Sequence, residues 1–195
     1  MPVEYGVRLA SRYDLFALER LMEKALAESG GLLPPHDPDH FVHSSMELIV
    51  KGLVFVAVEV SEDKKRERIV GCLALDARSW HWNPRALFLE SVHFYVLPEA
   101  RKVKIHDGKM LLAEALLACG KQLSTVSSYH HQKDGETVFM PVPLRIDMLF
   151  QLSAEGITDN RAAAKDELMR GCGFIYVGGN HVFIPKEEQA QAAAA

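Results

Sequence analysis

Long apolar runs, an excess of positive charge and a cysteine pattern are all missing from this chain. No stretch approaches the ~18–20 consecutive apolar residues of a membrane-spanning helix. The opening residues already carry Glu4 and Arg8, unlike the apolar core of a secretory leader. A soluble cytoplasmic protein with no membrane partner is therefore expected. The formal net charge is −4. A nucleic-acid binder normally carries a basic stripe, so no nucleic-acid partner is expected, although a local basic pocket for phosphate is compatible with this charge. The cysteines are Cys72, Cys119 and Cys172. Their odd number and wide spacing fit neither a CxxC site nor a disulfide framework, and they read as buried thiols in a reducing compartment. Glycine fingerprints of the Walker and dinucleotide type are also absent.

No metal is expected either. His36, His40 and His43 lie close together with Asp37 and Asp39, but Pro38 interrupts any single helix that would turn all three imidazoles to one side. His130 and His131 sit in a polar stretch and read as exposed loop residues.

What is present is an ordinary globular composition, 48% hydrophobic and 25% charged over 195 residues. That length suits one domain with a substantial core. The reading is a single domain over 1–185, with a frayed tail over 186–195 ending in Ala-rich sequence. Residues 3–9 alternate like a strand, and Asp14 is a candidate N-cap. Leu15, Leu18, Leu21, Met22 and Leu26 then recur at helical spacing until Gly30-Gly31. A proline-rich loop separates this helix from a second at 39–49. Residues 53–60 and 69–76 read as a hairpin, 78–85 as a loop and 87–96 as a long strand. A helix is expected over 108–123, an irregular segment over 124–143 and a strand over 146–152. A helix opening at Thr158-Asp159-Asn160 and ending at Gly171 comes next, and a closing hairpin around Gly178-Gly179 ends the pattern. The order β-α-α-β-β-β-α-β-α-β-β implies a layered α/β or α+β domain.

The informative stretch is 87–117. A strand ends, a loop carries Arg101, Lys102 and Lys104, and an apolar helix begins near Gly108. Free N–H groups at a helix start, with cations beside them, suit a pyrophosphate. The pattern V-x-P-E-x-R followed by G-x-x-L-L, on Val96, Pro98, Glu99, Arg101, Gly108, Leu111 and Leu112, resembles the acyl-CoA-binding segment of the GNAT superfamily of N-acetyltransferases. The run from Asp166 to Phe174 resembles that family's last helix entering its final strands, and the opening residues resemble its first strand and helix.

The resemblance implies a twisted mixed β-sheet flanked by helices and splayed between its fourth and fifth strands, where an acyl-CoA lies. It implies acyl transfer, with acetyl the first expectation, from acetyl-CoA to a primary amine by direct attack. The amine acceptor is left unidentified, no metal is involved, and homodimerisation is left open. Cofactor contacts are implied for Phe94, Tyr95 and Val96, for Arg101, Lys102, Val103, Lys104, Ile105, His106, Asp107, Gly108 and Lys109, and for Asn160. In the family a backbone N–H at the end of the fourth strand polarises the thioester, which points to Tyr95 or Val96. A glutamate base in several members corresponds to Glu90. By strict alternation Glu90 shares a strand face with Val92, Phe94 and Val96, where apolar neighbours would raise a carboxylate pKa. His93, on the opposite face, is a second candidate base or else a structural histidine. Asn160 is either a pantetheine contact or a helix N-cap. Trp80 and Trp82 either line an acceptor pocket or cover core.

Two departures from the family pattern stand out. The loop after Arg101 has Lys104 and His106 where glycines are usual, and counting from the helix makes it two residues longer. The last helix has Met169 where a tyrosine often protonates the leaving thiolate. These departures favour the alternative of a GNAT-like domain that has lost catalysis and serves as a binding or structural module.

Overall fold

The computed structural model describes residues 3–28, 35, 37–61, 66–133, 135–146, 167–177 and 180–183. Strand β1 (Glu4–Leu9) leads through a 3-10 turn into α1 (Leu15–Glu28), followed by α2 (Pro38–Val50). Strands β2 (Val54–Val60), β3 (Glu67–Trp80) and β4 (Asn83–Val96) come next. Two short strands, β5 (Lys104–Ile105) and β6 (Met110–Leu111), precede α3 (Leu112–Val126). The chain continues as β7 (Ser128–Lys133), β8 (Glu136–Pro141) and β9 (Leu144–Ile146), then β10 (Ile175–Val177) and β11 (Asn180–Phe183). The main sheet has the order β1-β2-β3-β4-β9-β11-β10, antiparallel except for the parallel pair β4–β9. The α/β class, the mixed sheet and the β2–β3 hairpin are as the sequence predicts.

Helices cover both faces of the sheet. On α1 the buried residues Leu18, Leu21, Met22 and Ala25 recur at one-turn spacing, and with Phe41 and Leu48 of α2 they face Cys72 and Ala74 of β3. On the other face α3 packs so closely that a Cβ on Gly120 would lie 2.9 Å from Leu73 and 3.2 Å from Leu144. Only glycine lets the helix backbone approach the sheet this far. At the far end of α3 the buried Ser124 hydroxyl donates to the Val142 carbonyl at 2.6 Å and ties the helix to the chain entering β9.

Several boundaries differ from the sequence reading. Residues 78–85 are not a loop. β3 and β4 run through them as an extended hairpin, turned at His81-Trp82 and braced by Trp80 stacked on Phe88 at 4.6 Å. Helix α3 begins at Leu112 rather than Gly108, because His106, Asp107 and Gly108 all have positive φ and form the turn between β5 and β6. The segment 124–143 is not irregular, since its centre is the β7–β8 hairpin. Asp14 closes the 3-10 turn by accepting from the Ser11 N–H, and it pairs with Arg8. The tail 186–195 and the helix start at Thr158-Asp159-Asn160 lie outside the described residues.

Candidate functional site

The site is organised by one extra residue. Ala74 of β3 faces His93 of β4, but Leu75 faces Ser91, so Val92 is a β-bulge. A bulge inserts one residue on one strand only and reverses the parity of every position beyond it. Asp76 and Ala74 lie on the same face of β3, and their partners are Glu90 and His93. Glu90, His93 and Tyr95 therefore share the α1/α2 face. The expectation that Glu90 shares a face with Phe94 and Val96, opposite His93, fails because strict alternation does not hold across the bulge.

The surroundings of Glu90 differ from expectation too. Instead of apolar neighbours, it has Arg145 of β9 at 3.4 Å and Arg78 of β3 at 3.9 Å, and Arg78 also pairs with Asp76 at 2.9 Å. Like charges directly opposite on adjacent strands repel. Here the Asp76–Glu90 pair is offset by two guanidiniums, so four charges form a lattice across three strands.

His93 packs against Phe41, with ring centroids 5.8 Å apart, and burial lowers its pKa to about 4. Together with Val92, Asp76 and Arg78 it borders a cleft of about 510 Å³ between α1, α2 and the sheet. Asp37, His40 and Glu47 of the α2 side complete the polar rim.

The end of β4 is a second cluster. The Tyr95 hydroxyl donates to Glu28 Oε2 at 2.8 Å, and Arg101 Nη2 donates to the same oxygen at 2.6 Å. Arg101 Nε also donates to the Val96 carbonyl at 3.0 Å, and its guanidinium lies 5.6 Å from the Tyr95 ring centre. Burial raises the Tyr95 pKa, and the hydrogen bond to Glu28 raises it further. For Arg101 burial acts downward, but Glu28 outweighs it and the net shift is upward.

Backbone directions can be read from two contacts. The Leu97 N–H donates to Val70 of β3, and the Tyr95 carbonyl faces Gly71 of β3. By alternation the N–H and C=O of Val96 point away from β3, toward the side where β9 lies. Among the described residues β9 pairs with β4 only at Leu89 and Glu90.

The segment expected to form a phosphate loop is a small hairpin. Lys102, Lys104, His106, Asp107, Gly108 and Lys109 are exposed, Val103 is half-buried and Ile105 is buried as the anchor. The Leu112 N–H, first in α3, donates to the Val103 carbonyl at 3.0 Å, and the Leu111 N–H donates to Glu114 at 2.6 Å. Of the sequence candidates, Glu90, His93 and Tyr95 come together on one face, Phe94 turns into the core, and Arg101 reaches the strand end. Asn160 lies outside the described residues. Trp80 is half-buried in the hairpin, while Trp82 is 74% exposed. Sequence reasoning missed Glu28, Asp76, Arg78, Arg145 and Glu114. Only Glu114 carried a signal, standing three residues after Leu111 where a carboxylate caps a helix start.

No protein-family profile and no curated protein sequence matches the chain. Solved structures do match. An N-acetyltransferase from Staphylococcus aureus aligns over 94% of this chain and 99% of its own, at 16% identity and a TM-score of 0.56. A GNAT-family acetyltransferase from Streptococcus agalactiae aligns over 93% and 96%, at 13% identity and 0.52. The predicted acetyltransferase with acetyl-CoA from Clostridium acetobutylicum aligns over 90% and 92%, at 13% identity and 0.51. With the mixed sheet flanked by helices and these likenesses together, the chain has the GNAT fold.

Proposed function

We propose that this protein transfers an acyl group, acetyl being the simplest, from acyl-CoA to a primary amine. The observation that carries this reading is the outward-facing edge of Val96. Its N–H points to the β9 side of β4, and its carbonyl is fixed by Arg101 on that same side. A rigid N–H at such an edge suits a thioester oxygen on which charge develops during attack. The amine would approach from the cleft that His93 borders on the α1/α2 face, the face that the bulge lets Glu90 and Tyr95 share with it. Its nitrogen bonds to the thioester carbon, the C–S bond breaks, and the thiolate leaves. The amine proton passes to Glu90, directly or through water. His93, held neutral by burial, lines the path. Thiolate is a tolerable leaving group without a dedicated acid, consistent with the fully buried Met169 where the family often has tyrosine.

A second reading has its own support. Glu28 on Arg101, and Glu114 with Val103 at the start of α3, occupy the groups expected to hold the pyrophosphate. This favours a GNAT-like binding module without turnover. Calorimetric titration with acetyl-CoA and CoA, with Arg101→Glu as control, separates the readings. Binding with turnover over an amine panel supports the enzyme, and binding without turnover supports the module. No binding at millimolar ligand overturns the acyl-CoA assignment.

A further inference from the structure

Two carboxylates of this chain sit where an incoming anion would be received. Glu28, the last residue of α1, places one oxygen on both Arg101 and Tyr95. Glu114 sits at the N-terminus of α3, where the helix dipole favours negative charge. The two come from different elements, yet each satisfies one of the positive features flanking the end of β4. Arg101 is not sealed off, because its side chain is 44% exposed and Glu28 is 26% exposed. A phosphate can therefore reach the guanidinium from solvent.

We propose that Glu28 and Glu114 act as internal stand-ins for a ligand's phosphate anion, and that a phosphate-bearing ligand binds by exchanging with them. The proposal rests on the acyl-CoA reading only for the identity of that ligand. Exchange keeps Arg101 and the start of α3 satisfied in the empty protein and sets ligand affinity by competition. It also couples binding to the acceptor side, since a Glu28 displaced from Arg101 changes its hold on Tyr95, which faces α1. The strand end would then be released from α1 as the anion arrives.

The test uses the whole chain and two near-isosteric variants, Glu28→Gln and Glu114→Gln. Each retains an oxygen able to accept the same N–H or O–H and removes only the charge. Calorimetry with CoA and, separately, with inorganic pyrophosphate measures affinity at fixed salt. Removing a part-exposed competing charge should tighten binding about 1.5-fold to fivefold per variant. The double variant should approach the product of the two effects, and the wild-type advantage of low salt should shrink. Affinities equal to wild type, in variants whose melting temperatures are unchanged, overturn the exchange and leave the acyl-CoA reading standing. Tighter pyrophosphate binding with no CoA binding supports the exchange and sinks the acyl-CoA reading. No binding of either probe to any form overturns both. If Glu28→Gln fails to fold, Glu114→Gln decides alone.

Discussion

The two halves of β4 differ in their partners. Before the bulge, at Leu89 and Glu90, the strand is paired on both sides, and its charges are locked into the lattice with Asp76, Arg78 and Arg145. Past the bulge the described pairing is to β3 alone, and the side chains of His93 and Tyr95 meet α1 and α2 instead. One inserted residue separates a half that builds the sheet from a half that presents groups to a cleft. The lesson is that parity, more than residue type, decides which side chains can act together. Inserting an alanine between His93 and Phe94 should break the comparison outright. A one-residue slip sends every later side chain to the other face, which would turn Tyr95 toward α3 and Phe94 and Val96 toward α1 and α2. We expect a loss of more than about 4 kcal/mol, within the range reserved for disrupted cores, read by urea unfolding. An insertion variant of near wild-type stability would mean that parity past the bulge is incidental.

The second largest effect should appear in acid, and only from the half past the bulge. Burial holds the His93 pKa near 4 in the folded protein, whereas an unfolded histidine titrates near ~6.5. Between these values the unfolded chain binds the extra proton, so stability rises with pH across that window. The wild type should lose about 3 kcal/mol on going from pH 7 to pH 4 from this group alone, taking ~1.4 kcal/mol per pKa unit. His93→Gln should flatten that part of the profile, measured by denaturation at a series of pH values. An unchanged profile would show that His93 is open to solvent. Glu90→Gln probes the half before the bulge. If Glu90 is the base, kcat/KM for acyl transfer should fall about a hundredfold or more, with CoA affinity unchanged. A loss of stability with no effect on rate would assign it to the lattice alone.

The sequence revealed the frame far better than the site, and the reasons are physical. The helical spacing of Leu15, Leu18, Leu21, Met22 and Leu26 and the β-rich run over 53–60 are local signals, and α1 and β2 formed where expected. The bulge leaves no such trace, because valine suits a strand whether or not it is paired. Glu28 was illegible for another reason: its partners Tyr95 and Arg101 are 67 and 73 positions away, and only the tertiary fold joins them. The start of α3 was misplaced because Gly108 reads as the glycine opening a helix, yet its φ of 80° comes after two other left-handed residues in a turn. The β7–β8 hairpin did have a signal in Asp134-Gly135, a pair that favours tight hairpin turns, and Gly135 has a φ of 86°.

The smallest predicted effect sharpens the contrast at the far tip of the β3–β4 hairpin. Trp82 stacks on Trp80 with ring centres 4.9 Å apart but keeps most of its surface in water, whereas Trp80 is held from both sides by Trp82 and Phe88. Aromatic pairs contribute roughly 0.5–1.5 kcal/mol beyond their buried area. An exposed ring should sit at the low end, so Trp82→Ser should cost about 0.5 kcal/mol by thermal denaturation. Neither Trp80 nor Trp82 borders the cleft beside His93, so CoA binding and amine turnover should stay at wild-type values in the same variant. A drop in amine affinity with CoA binding intact would bring the hairpin tip into acceptor recognition alongside Glu90.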